Sequence, residues 1–444
     1  MLKRGLLAAA AVAIVLGATA TAVADPPGPV GTGDAVINLA GGFSYTIIST
    51  ACSDSVTSTE SGLTYPMPED FDANILFNAG DEYWLLNHHE LTEPRAGDFQ
   101  GDAGKCAVPE QATVDDGDSD GSGSISRLVL SKDGTTVLRR ELITTGLHDL
   151  CAAGETPWKT FLANEEFPFI NDPELRSGWV WEIDPATGAE KRLTGMGRFS
   201  HEQEAYAADG SWYLTDDRGN YQYIYKFIPD RRSDLTTGRL YGLLFNRTTN
   251  TGTWVGPLNP FAPEADMIAQ SGQVPNATNS FAKAEGMIAT ASSAARGGNA
   301  VVFSESGFNT PTSTDPGRVW RLTDLSQDLV KGEVLVNGDF ARLSRPDNLR
   351  YTDAGDLFIM EDHGSSEFAL AGGSNEVWVL PRGKTGAENL VLFATLPNRF
   401  EPTGPWFSND NQILYLSIQA DPPFHSRVIA VEREGGNFNQ PYDH

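Results

Sequence analysis

Short runs rich in β-branched and aromatic residues, separated by Gly, Asp and Asn turns, recur from residue 35 onward and constrain the fold more than any other feature. Val36-Ile37-Asn38-Leu39, Phe43 to Ile48, Glu82 to Leu86, Ser126 to Leu130 and Thr136 to Leu142 all read as strands. Ser131-Lys132-Asp133-Gly134, Asp184 to Gly188, Ala208-Asp209-Gly210, Asp353-Ala354-Gly355 and Pro381-Arg382-Gly383 each sit between two such runs. They read as hairpin turns, because these residue types supply the left-handed or side-chain-bonded backbone that a tight turn needs. Helical periodicity is missing except over 263–270, where Pro263 suits the first helical position and Glu264 the first turn. Strand pairs spaced this evenly suggest an all-β fold, a closed ring of small antiparallel sheets with inserted loops and short helices. No strict repeat accompanies the pattern.

Two stretches break the rhythm. Residues 115–124 form an acidic, Gly/Ser-rich loop that lacks the terminal glutamate of an EF-hand and reads as a solvated tip. Residues 230–280, with Pro257, Pro260, Pro263 and Pro275, read as a longer excursion.

The first 24 residues have the layout of a secretory signal: Lys3 and Arg4, an apolar run to Leu16, and Ala22-Val23-Ala24 before Asp25. Cleavage there would release a mature chain of residues 25–444, read as one propeller domain with a mobile leader over 25–34. The expectation is an exported protein with no membrane contact after cleavage, and a monomer. The net charge of −27 becomes −29 once Lys3 and Arg4 are removed. Such a surface excludes nucleic acid as a partner, which needs a positive patch, and suits both solubility and cation binding.

Three cysteines, Cys52, Cys106 and Cys151, are an odd number for an exported chain. If Cys52 pairs with Cys106, Cys151 is left as a free thiol or a metal ligand; spacing alone does not decide. Around Cys151, residues 146–227 gather carboxylates and histidines at strand ends beside glycine and proline, where turns can aim them into a common space. That is the composition of a multi-metal site with oxygen ligands and one sulfur ligand. Structural readings stand beside it: a buried core cysteine, turn-capping acids and satisfied loop histidines. Glu165 and Glu166 follow a strand, so alternation points only one of them inward. No Gly-x-Ser-x-Gly, P-loop or dinucleotide fingerprint appears.

Leu150-Cys151-Ala152-Ala153-Gly154-Glu155-Thr156-Pro157-Trp158, the Glu165-Glu166 pair, Gly197-Arg198-Phe199-Ser200-His201-Glu202 and Asp216-Asp217 follow one another in an order that resembles the PhoX family of exported bacterial alkaline phosphatases. Asn87-His88-His89-Glu90, Lys283-Ala284-Glu285-Gly286, Arg345-Pro346-Asp347-Asn348 and Met360-Glu361-Asp362-His363 are similar to further family segments. The resemblance implies a six-bladed propeller that hydrolyses small phosphate monoesters with Fe3+ and Ca2+. In it Cys151, Glu202 and Glu285 would hold the ferric ions and their bridging oxo group. Glu90, Glu165, Glu166, Asp216, Asp217, Asp347, Glu361 and Asp362 would be further metal ligands, chiefly for calcium. Lys283 takes the place of the family's phosphoryl-binding arginine, keeping its charge without the bidentate fork. Glu204 is a reserve ligand. Two other functions remain open: a calcium-dependent propeller hydrolase of lactones or phytate, and a calcium-stabilised propeller without catalysis.

Overall fold

A computed structural model describes residues 36–91, 106, 123–166, 177–219, 221–262, 270, 272, 276, 278–290, 300–307, 315–363, 374–397, 399–420 and 424–442. The signal-like segment, the leader, most of the acidic loop and most of the 263–270 segment lie outside the described residues. No helix among those described is long and apolar enough to cross a membrane. The five hairpin signals all fall in turns between strands. Asp133 Oδ1 accepts the backbone N–H groups of Thr135 and Thr136, Asp184 Oδ1 those of Ala186 and Thr187, and Gly134, Gly188 and Gly210 take positive φ.

The fold is all-β and propeller-like. Five sheets form among the described residues, of four, four, five, six and nine strands. Their repeating unit is an antiparallel meander, and meanders start with Phe71–Ala79, Leu150–Glu155, His201–Tyr206, Ala284–Ala289, Pro346–Tyr351 and Phe400–Phe407. These first strands touch one another in that order, and Phe400–Phe407 returns to Phe71–Ala79, so they wall a closed ring. The ring is fastened by chain ends: Phe43–Thr50 pairs with Arg427–Arg433, completing the last meander from the N-terminal side. Buried aromatic and aliphatic side chains fill the space between neighbouring sheets, with Trp179, Trp181, Trp320 and Trp378 among them, while Trp158 is half-buried.

Among its described residues, the stretch expected to be an excursion is instead largely strand. Asp234–Asn246 pairs with Tyr225–Arg231 and Thr251–Leu258, and Thr251–Leu258 bridges to Val330–Asn337, joining two meanders into the nine-stranded sheet. Its turn uses Asn246, which accepts the N–H groups of Thr248 and Thr249, and a left-handed Asn250, so no Gly or Pro marks it.

A repeat absent from the sequence appears in the register. The first residue of each first strand faces the last residue of the second: Phe71 with His89, Leu150 with Glu165, His201 with Asp216, Ala284 with Glu305, Pro346 with Glu361, and Phe400 with Ala420. In the first five the first strand then takes three residues where its partner takes two, a β-bulge at the channel mouth. The residue before the strand takes positive φ at Asp70, Asp149, Lys283, Arg345 and Arg399. Left-handed non-glycine residues beside bulges are a common device for aiming side chains into a site.

Candidate metal centre

In five of the six first strands the bulge lifts the second residue out of simple alternation, and in Phe400–Phe407 the second residue stands at the same place in regular register. Those residues are Asp72, Cys151, Glu202, Glu285, Asp347 and Glu401, five acids and one thiol from six neighbouring strands. Three overlapping sets have donor atoms within 4.8 Å of one another: Asp72, Cys151 and Glu202; Glu90, Cys151 and Glu166; Glu202, Glu285 and Asp347. Cys151 belongs to the first two and Glu202 links the first to the third, so the three form one chain of donors. Cys151 Sγ lies 3.2 Å from Glu166 Oε2.

Acids just past the second strands complete the mouth. Glu90 and Glu166 are in the sets above, and Glu90 Oε2 accepts from Gln419 Nε2 at 2.7 Å. Lys283 Nζ lies 3.1 Å from Glu285 Oε1 and 3.2 Å from Asp217 Oδ2. Asp362 acts on Asp72, Asp347, Glu401 and Lys283 through its charge.

Strand alternation decides which member of each acidic pair faces the channel. Glu165 turns away, accepting the backbone N–H groups of His148 at 3.2 Å and Trp179 at 3.0 Å. Glu361 accepts those of Ser344 at 2.7 Å and Glu376 at 3.1 Å, and Trp378 Nε1 at 3.2 Å. Asp216 accepts the N–H of Arg218 and stands outside the three donor sets. These three, expected as ligands, end the second strands, bond neighbouring backbone and lie outside the three donor sets. Glu305 holds the same place, accepting the N–H of Ala282. Glu204, the reserve ligand, accepts from Asn164 Nδ2 at 2.9 Å below the mouth.

Asp72 and Glu401 escaped the sequence reading. Each is an acid after an aromatic residue at the start of a first strand, a signal that only the strand register makes visible. The two histidines stand apart from the donors: His88 Nδ1 lies 2.8 Å from the Cys151 carbonyl, and His89 bonds to the Glu69 carbonyl and Ser126 Oγ. Cys52 and Cys106 are disulfide-bonded, so the sulfur beside Glu69 and His425 is spent and Cys151 is the free thiol.

Burial, and then mutual repulsion, pushes the carboxyl groups of Asp72, Glu166, Glu202, Asp347 and Glu401 well above the usual carboxylate range. Asp217 is raised by burial and by Glu285, against the pull of Lys283. Burial together with Glu166 and Glu202 raises the Cys151 thiol. For Lys283, burial would lower the pKa, but Asp217, Glu285 and Asp362 outweigh it and hold the ammonium charged. A buried mouth with this many acids and one lysine cannot ionise fully on its own, and multivalent cations are the counter-charge that would let it. The donors fit two kinds of cation: carboxylate oxygens for a hard ion such as calcium, and sulfur with carboxylates for a transition metal.

Comparisons with known proteins identify the family. A family model described as alkaline phosphatase PhoX matches residues 132–422. PhoX from Pseudomonas fluorescens, solved in complex with vanadate as a transition-state analogue, superposes with a TM-score of 0.68 at 18% identity, over 94% of this chain and 99% of that one. A gluconolactonase from Xanthomonas campestris (TM-score 0.38, 13% identity, 87% of this chain and 100% of that one) and a Trypanosoma rangeli sialidase (0.42, 8%, 89% and 60%) are too distant to bear on the argument. No curated protein matches by sequence. The chain belongs to the PhoX family of alkaline phosphatases, and as a member it is a phosphomonoesterase.

Proposed function

We propose that this protein is an exported, monomeric phosphatase of small phosphate monoesters, in which the mature chain forms one six-bladed propeller holding Fe3+ and Ca2+ at one mouth of its channel. The count of six rests on the cyclic contacts of the first strands, with the nine-stranded sheet divided at Thr251–Leu258 into two blades. Export rests on the signal-like N-terminal segment.

The observation that carries the metal assignment is Cys151 Sγ shared between two carboxylate sets. Cys151, Asp72 and Glu202 would hold a transition metal such as Fe3+; Glu202, Glu285 and Asp347 would hold the neighbouring ion, and Glu90 and Glu166 a hard cation on the other flank. When bound, such ions polarise phosphoryl oxygens and make water nucleophilic near neutral pH. The chain supplies the rest. Lys283, anchored between Asp217 and Glu285, offers a positive charge to the non-bridging oxygens of the phosphoryl group, over which the transition state's negative charge is spread. The left-handed backbone at Lys283 and the N–H of Lys283 donated to the Gly219 carbonyl fix the direction of that side chain. The vanadate complex of the Pseudomonas fluorescens relative supports the same phosphoryl chemistry here.

Elemental analysis of protein purified from its native compartment, with a phosphomonoesterase assay before and after chelation, tests this reading. Iron and calcium together, and activity abolished by chelator, are expected. Calcium without iron, with turnover of a lactone or phytate only, would replace it with the calcium-hydrolase reading.

A further inference from the structure

We propose that the opposite mouth of the channel is a second ligand site, taking a small oxyanion on the guanidinium of Arg350. The C-terminal ends of the six first strands enclose two adjoining cavities there, of about 690 and 350 Å3, within the range of small-molecule sites. Glu155, Lys159, Arg350, Tyr351, Asp353 and Trp406 line both.

This mouth is separate from the acidic one. A layer of amide side chains lies between them, each bonded across strands. Asn74 Nδ2 donates to the Gly404 carbonyl at 2.6 Å, Asn164 Nδ2 to the Glu202 carbonyl at 2.9 Å, Gln203 Nε2 to the Ala153 carbonyl at 3.1 Å, and Asn348 Oδ1 accepts from Gly404 N at 2.7 Å.

Arg350 carries the inference. Its guanidinium carbon sits 3.4 Å from the centre of the Trp406 ring, which fixes the plane of the fork. Among the described residues no side-chain hydrogen bond or ion pair engages it. The carboxylates nearest in the lining are occupied elsewhere: Glu155 Oε1 by Lys159 Nζ at 2.6 Å, and Asp353 Oδ2 by Asn411 Nδ2 at 2.8 Å. Burial pulls the guanidinium down to about 10, with Glu155 and Asp353 opposing, so it stays charged at neutral pH. A charged, stacked fork that faces a cavity and is bonded to no carboxylate is the arrangement that binds carboxylate or phosphate through paired N–H donors. Phe77, Trp84 and Tyr351 wall the space beside it and would cover the apolar part of an organic acid.

The test is isothermal titration of the metal-loaded protein with inorganic phosphate and, separately, with succinate. Wild type, Arg350→Met, which keeps the apolar stem over Trp406, and Lys283→Met, which disables the acidic mouth, are compared. The site predicts a binding event for at least one of the anions that survives Lys283→Met and weakens tenfold or more in Arg350→Met; which anion binds tells whether the head group is phosphate or carboxylate. If Arg350→Met does not fold, Arg350→Lys, with the charge kept and the fork lost, must show the same weakening. Isotherms unchanged by the Arg350 substitution, or no binding beyond the event that Lys283→Met removes, overturn the proposal.

Discussion

At the scale of single residues, acids that look alike in the sequence fall into two jobs. In the proposed function Cys151 and its carboxylate neighbours would hold metal, so Cys151→Ser, which trades a thiolate for a hydroxyl that ionises far less readily, should lower bound transition metal by about tenfold or more while calcium remains. Elemental analysis of the variant reads this; unchanged iron would contradict it. Lys283→Ala should reduce kcat/KM by about 10²–10³, the usual cost of removing a charge or donor aimed at the transition state, with metal content intact. Glu165 gives the opposite pattern. Its carboxyl, raised to about 8 by burial, serves two backbone N–H groups. Glu165→Ala should therefore cost about 1–3 kcal/mol of stability and leave bound metal unchanged, as denaturant unfolding and metal analysis would show. The acidic pairs Glu165-Glu166, Asp216-Asp217 and Glu361-Asp362 were legible as candidate sites; which member faces the channel was not, because that depends on where each strand ends.

At the scale of the element, close approach of the first strands brings ligands from different blades together. A Cβ on Gly286 would lie 2.7 Å from the Asp347 carbonyl oxygen and 2.8 Å from Asn348 Cα, both backbone atoms. Gly286→Ala should thus wedge the strand bearing Glu285 from the one bearing Asp347, costing about 1–3 kcal/mol and loosening metal held between them. Normal stability with normal metal content would show that the contact is slack. Glu305 illustrates the clamps that hold the loops before these strands. Burial alone would raise its pKa, but Arg247 and Arg318 outweigh it and set it below the usual value. A carboxylate depressed on folding stabilises at neutral pH, and that contribution fades as pH falls from the unfolded value through the lower folded one. Glu305→Gln should therefore cost about 3 kcal/mol at pH 7, and the gap to wild type should narrow in acid, as urea unfolding at several pH values would reveal. Hairpins with Asp-Gly turns were readable in advance. The Asn246–Asn250 turn was not, and neither were the bulges, which are a property of paired strands rather than of any one segment.

At the scale of the whole molecule, the ring gathers like charges that a smaller fold would keep apart. The sequence disclosed an all-β chain with a net charge of −27. It did not disclose that Phe43–Thr50 closes the ring against Arg427–Arg433, because contacts that distant leave no local pattern. Nor did it single out Asp72 and Glu401, which come together at the mouth because their strands meet across the closure. If the proposed cations offset repulsion that exists only in the folded ring, chelation should lower the thermal unfolding midpoint, and calcium with iron should restore it. In the proposed metal centre Cys151 ligates a transition metal together with acids from neighbouring strands. Anomalous diffraction at the iron edge from crystals of natively purified protein tests it most directly. A peak within bonding distance of Cys151 Sγ and of a Glu202 or Asp72 carboxylate oxygen is predicted; a bare sulfur in a protein that is active and free of iron would contradict it.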